Sequence, residues 1–187
     1  MTLFEYTAVA ASLVISFTVV RLLGGVSPAL DPSRRYWVHV AWIVYGLLNA
    51  TANWWTYWSY NEVSWNYSLF LLSLMPLAVA YVVAALLLPE GAREVTSWRS
   101  HFQRVRKRFY AFQIAYLVLV IVCTVAILGH PVLHVRRIIP VSMIAALSAG
   151  IVLESEGAQV VVLCLFVAIN LIAGAVFIAP GSFGVAP

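Results

Sequence analysis

The chain has 187 residues, 63% of them hydrophobic and 10% charged, with a formal net charge of +4. Soluble domains run at roughly 45–50% apolar and about 25% charged, so water cannot be the main solvent of this chain. The length leaves room for one membrane domain and no separate soluble one, and so small a charge, held beside apolar runs, argues against nucleic acid as a partner.

A helix that crosses the hydrocarbon needs about 20 mostly apolar residues. The sequence predicts six such spans, over 3–25, 37–59, 65–88, 109–128, 138–153 and 158–178. Residues 1–178 then form one all-α transmembrane bundle, followed by a flexible tail over 179–187. The runs are too continuous for the alternating strands of a membrane barrel.

The chain begins MTLFEY, which lacks the basic start of a signal peptide, so its first apolar run is expected to stay as span one. Glu5, Ser12 and Ser16 share a face at steps of seven and four. Ser12 and Ser16 make a pair of small residues suited to close helix packing.

Span two is the most informative stretch, WVHVAWIVYGLLNATANWWTYW. His39, Trp42, Gly46, Asn49, Asn53 and Thr56 recur at steps of three and four, which puts them on one helix face. Polar groups in hydrocarbon need partners, so this face is expected to turn inward. It reads either as a polar pocket or conduit, with Ser12 and Ser16 beside it, or as hydrogen-bonding glue between helices. Six of the seven tryptophans lie between Trp37 and Trp65. Trp54, Trp55, Trp58 and Trp65, with Tyr57, Tyr60 and Tyr67, read as an outer aromatic belt or the rim of a vestibule.

Pro76 falls within span three and Pro140 near the start of span five, where each kinks or begins a helix. Ahead of span four stands REVTSWRSHFQRVRKRFY. There Val95, Trp98, Phe102, Val105 and Phe109 recur at helical spacing, with Arg99, Arg104, Arg106, Lys107 and Arg108 between them. This pattern predicts an amphipathic helix that lies on the inner leaflet and runs into span four, and whose cations meet anionic phospholipid headgroups, at ~1 kcal/mol per basic residue. Glu154 and Glu156 fall on the same side and can pair with it. Gln113 and Thr124 in span four, and Gln159, Asn170 and Gly174 in span six, form weaker inward stripes.

With the N-terminus outside, nine of the eleven Lys and Arg residues fall on the cytoplasmic side. Only Arg136 and Arg137 are left outside, so both termini are placed outside by the positive-inside rule. The recurrence of Arg34-Arg35 and Arg136-Arg137 ahead of spans two and five would fit an inverted repeat of three spans, or chance.

No catalytic constellation is present, and no cofactor is implied. Cys123 and Cys164 read as small buried hydrophobes. His130 and His134 are four apart, but Pro131 disturbs their alignment and nothing completes a metal set.

At Tyr36–His39, Asn53–Trp58 and His101–Tyr110 the chain resembles a group of small bacterial multi-pass membrane proteins of unassigned activity. That resemblance implies a bacterial inner-membrane setting and no site residue. The size is also similar to that of a six-span bacterial cation-channel family. The Phe-Ser-Asp signature of that family's first span is replaced here by Ile15-Ser16-Phe17-Thr18, so its function is not carried over. The expected function is a channel or transporter for a small solute or ion, using the polar face of span two. The alternative is a non-catalytic scaffold or sensor, held to anionic lipid or a partner protein by the basic segment. With so little of the chain built for water, a homo-oligomer is expected.

Overall fold

The computed structural model describes residues 2–134 and 137–178; Arg136 and the tail over 179–187 lie outside the described residues. Among the described residues six α-helices follow one another: α1 (Leu3–Leu30), α2 (Trp37–Tyr57), α3 (Tyr67–Leu87), α4 (Trp98–Ala126), α5 (Ile138–Val152) and α6 (Glu156–Ile178). No strand occurs among the described residues.

The helix starts are written locally. Thr2 and Glu5 form a reciprocal capping box at the start of α1. The Asn66 side chain accepts from the Leu69 amide at α3, and Ser97 from the Ser100 amide at α4. Pro140 stands in the first turn of α5, where the helix does not need its missing N–H. Pro76 lies inside α3.

The helices run alternately up and down. At one end the last turns of α1, α3 and α5 meet the first turns of α4 and α6. The Trp98 indole donates to the Pro28 carbonyl, Arg21 Nε to Leu88, and Arg106 Nη1 to Gly150. At the other end Phe4 meets Tyr57 and Trp58, and Tyr6 meets Phe70. Around the bundle the order is α2, α1, α3, α4, α5, α6, with α6 returning to α2. Helix α2 also reaches across to α3 and α4, so its polar face meets protein rather than the outside.

Among the described residues, four stretches are long and apolar enough to cross a membrane: α1, the run from Tyr67 that contains α3, α4, and α6 as far as Gly174. Helix α5 is apolar but has 15 residues, about 22 Å against a hydrocarbon core of about 30 Å. Helix α2 is long enough, yet its asparagines, histidine and aromatics make it less apolar than those four.

Three expectations are corrected by packing. The basic segment is not a separate interfacial helix. It is the first third of a continuous 29-residue α4, about 44 Å long, so about nine residues exceed the hydrocarbon thickness. Its apolar stripe, Trp98, Phe102 and Phe109, is buried in the protein core. On α1, the inward stripe is Thr7, Ala11, Ile15, Thr18, Leu22 and Gly25, while Ser16 faces outward. The Ser16 hydroxyl donates to the Ser12 carbonyl at 2.7 Å, so its own helix satisfies it and no neighbour is needed. Cys164 likewise turns outward, while Cys123 is buried and its thiol meets the Leu72 carbonyl.

Candidate functional site

Four residues of the polar α2 face divide between two depths. Nearer the basic end, Trp42 is buried among Phe109 and Tyr110 of α4 and Phe166 of α6, at ring-centroid distances of 5.1, 5.8 and 5.1 Å. One turn further, Gly46 lets α1 come close: a Cβ there would lie 3.0 Å from Leu22 Cδ1. Beyond it, Asn49 and Asn53 converge on one group of α4. The Tyr116 hydroxyl lies 3.2 Å from Asn49 Oδ1 and 2.9 Å from Asn53 Oδ1. Tyr45 Oη stands 3.5 Å from the same Asn49 oxygen.

Tyr116 has one proton for two carboxamide oxygens. The two oxygens therefore share one donor, with Asn53 the nearer acceptor. The trio forms one hydrogen-bonded set across α2 and α4. Beside it lies a cavity of about 30 Å³ between α1, α2, α3 and α4, lined among others by Thr18, Trp42, Tyr45, Gly46, Asn49 and Gln113. One water needs about 10–15 Å³ measured this way, so the space suits about two. No charged side chain lines it.

Ser12 and Ser16 are not in this site. The α1 residues that reach it are Thr18 and Leu22, on the inward stripe. Thr56 is exposed and its hydroxyl bonds back to the Ala52 carbonyl. Sequence reasoning missed Tyr116, which reads as an ordinary aromatic in the apolar run FQIAYLVL. Its spacing of three from Gln113 was the available signal.

His39 belongs to the same α2 face but lies away from the cavity. Its ring is fully buried, stacked on Trp98 at 4.7 Å and edge-on to His101 at 5.9 Å. Neither ring nitrogen has a protein hydrogen-bond partner. His101 is half-buried, with Nε2 at 3.1 Å from the carbonyl oxygens of Leu86 and Leu87.

The outer aromatics divide as well. Trp54, Trp55 and Trp58 are exposed, as an interfacial belt requires. Trp65 is half-buried and, with Leu3, Tyr6, Asn66 and Tyr67, borders an open cleft of about 300 Å³ between the starts of α1 and α3. His130 and His134 lie on an exposed turn with ring centroids 6.4 Å apart, and no third ligand joins them among the described residues.

At the basic end the cations have different partners. Arg106, expected at lipid headgroups, is instead 2% exposed. It donates through Nη1 to the carbonyls of Gly150 and Leu153, and through Nη2 to Glu154 at 3.0 Å. The last turn of α5 leaves these carbonyls without helical partners, and a buried guanidinium satisfies them. Gln159 also donates to both and accepts from the Tyr110 hydroxyl at 2.7 Å. Lys107 pairs with Glu154 at 3.1 Å and Arg99 with Glu156. The hydrogen bond from Lys107, with the charges of Lys107 and Arg106, holds the Glu154 carboxyl below its ordinary range. Arg104 and Arg108 are exposed, and neither forms an ion pair among the described residues.

Comparison with family models, with curated proteins and with solved structures finds no match for this chain.

Proposed function

We propose that the protein is a six-span membrane protein of a bacterial cytoplasmic membrane, and that it passes a water-sized neutral solute through the bundle interior. The α2 cavity and the Asn49–Tyr116–Asn53 set lie on that path. The observation that carries this reading is the uncharged cavity, mostly apolar with Thr18, Tyr45, Asn49 and Gln113 on its wall, beside a hydrogen-bonded trio on facing helices. An ion entering it would lose its hydration against dipoles alone, with no opposite charge to replace it. A larger molecule would not fit in about 30 Å³. The alternating course of the helices and the gathering of cations at one end support six crossings with both termini outside.

Osmotic water permeation of vesicles carrying the purified protein tests this. Asn53→Leu removes one acceptor of Tyr116 and puts an apolar branch on the path, and is expected to return permeation toward that of protein-free vesicles. Unchanged permeation would sink the assignment.

A second reading concerns the basic end. Arg104 and Arg108, like Arg35 and Arg93, are exposed cations at that end that no carboxylate neutralises among the described residues, which supports contact with anionic phospholipid headgroups. The double variant Arg104→Glu/Arg108→Glu should lose any preference for anionic over zwitterionic vesicles. Arg106 is left out because it holds the fold. A retained preference would end this reading.

A further inference from the structure

We propose that the outward face of α4 at the basic end binds one phospholipid that carries two phosphates, of the diphosphatidylglycerol kind, with Arg104 and Arg108 each holding one phosphate. The proposal rests on the reading that this end meets anionic headgroups, and it names the headgroup.

Most cations at this end are already engaged. Arg21 donates to the Leu88 carbonyl and faces Glu90. Arg34 is tied to Asp31 and to the carbonyls of Arg93 and Val95. Arg99 pairs with Glu156, Lys107 pairs with Glu154, and Arg106 is buried. Arg35, Arg93, Arg104 and Arg108 are left exposed, with no ion pair among the described residues. Arg35 stands between α1 and α2, and Arg93 in a short turn between α3 and α4. Neither continues into a membrane-crossing helix. Arg104 and Arg108 do: they lie four residues apart on α4, so one turn and about 6 Å of rise separate them on one face.

That face runs on into the membrane. From the two arginines the same line of α4 passes through Ala111, Ala115, Val118 and Val122. Ala111, Val118 and Val122 are exposed and Ala115 is half-buried, so the line faces outward along its length. The polar first third of α4 holds the residues in excess of the hydrocarbon thickness, which puts the arginines at headgroup depth. Long arginine side chains settle there, with their stems against apolar surface and their charge in the interface. Charge, depth and shape agree on one occupant. Its phosphates meet the guanidinium forks, and its acyl chains lie along a track that the two alanines keep shallow.

One lipid with two phosphates fits this pair better than two lipids with one each. Once one arginine holds the first phosphate, the short glycerol bridge confines the second beside the other arginine. The second contact then needs no separate encounter.

The test places the full chain in phosphatidylcholine vesicles doped with diphosphatidylglycerol or with phosphatidylglycerol at equal phosphate. The protein is extracted in mild detergent, and the lipid retained per chain is counted by mass spectrometry. The wild type should retain diphosphatidylglycerol over phosphatidylglycerol by at least about tenfold, a conservative share of the gain that linked contacts bring. Arg104→Gln and Arg108→Gln should each bring that ratio toward one. Arg35→Gln/Arg93→Gln removes two charges from the loops, and should lower retention of both lipids alike and keep the ratio. A wild-type ratio near one overturns the proposal, and the headgroup reading stands if both anionic lipids are still retained over phosphatidylcholine. Retention of neither removes both. A ratio that survives in the Arg104 and Arg108 variants overturns the site. Displacement of the lipid by equimolar inorganic pyrophosphate would assign the arginines to a free anion and overturn the lipid.

Discussion

Replacing Arg106 by leucine is expected to lower stability against unfolding by about 3 kcal/mol, since hydrogen bonds made by a charged group contribute about 1.5–3 kcal/mol each. The guanidinium ties the last carbonyls of α5 to α4, and Glu154 beyond them. The loss is not the sum of three bonds, because Gln159 still donates to the same two carbonyls. For that reason Arg106→Leu with Gln159→Leu should lose more than the two single changes added, as groups sharing partners do. A denaturing-detergent titration of the four members of this cycle measures the coupling, and strict additivity would show that the carbonyls have other partners.

The same cluster sets an acid limit. Glu154 is held below its ordinary value near 4.5 by Lys107 and Arg106. A carboxylate with a depressed folded-state pKa contributes its full stability above the unfolded value and loses it as pH falls through the folded one. The wild-type protein should therefore weaken below about pH 4.5, where carboxyls begin to take up protons, and Glu154→Gln should flatten that part of the profile.

Trp42→Ala is expected to have an effect of comparable size, about 3–5 kcal/mol on the scale of large-to-small changes at buried aromatics. The indole is 1% exposed and meets the rings of Tyr45, Phe109, Tyr110 and Phe166, so it joins α2 to α4 and α6. Within a bilayer the transfer of apolar surface out of water contributes little between helices. The dispersion contacts of the ring and the hole left by its removal remain. Trp42→Phe keeps most of those contacts and should lose less than half as much. Equal loss in the two variants would point to the indole N–H rather than to packing.

Two very different kinds of information separate here. Periodicity was enough to put Trp42, Asn49 and Asn53 on one face and to say that it turns inward, because hydrocarbon penalises unpartnered polar groups wherever they fall along a helix. It could not name Tyr116, since a tyrosine in an apolar run serves equally as core, belt or hydrogen-bond donor. The Ser12–Ser16 stripe failed for a related reason. A serine satisfied by its own helix carries no inward preference, and the α1 residues that reach the cavity are Thr18 and Leu22, on the inward stripe. Arg106 looked like its neighbours Arg104 and Lys107, and only the position of the α5 end explains why it alone is buried.

By itself, the sequence determined an all-α architecture, long apolar helices, and an inward polar face on α2. These follow from composition and period, which act within one segment. Which residues share the cavity, which cation is buried, and where His39 stands relative to His101 were decided by the tertiary structure. Each depends on the rotation and height of one helix against another, and that is set by close contacts such as Gly46 on Leu22 and Gly150 on Tyr110. No single segment encodes such contacts.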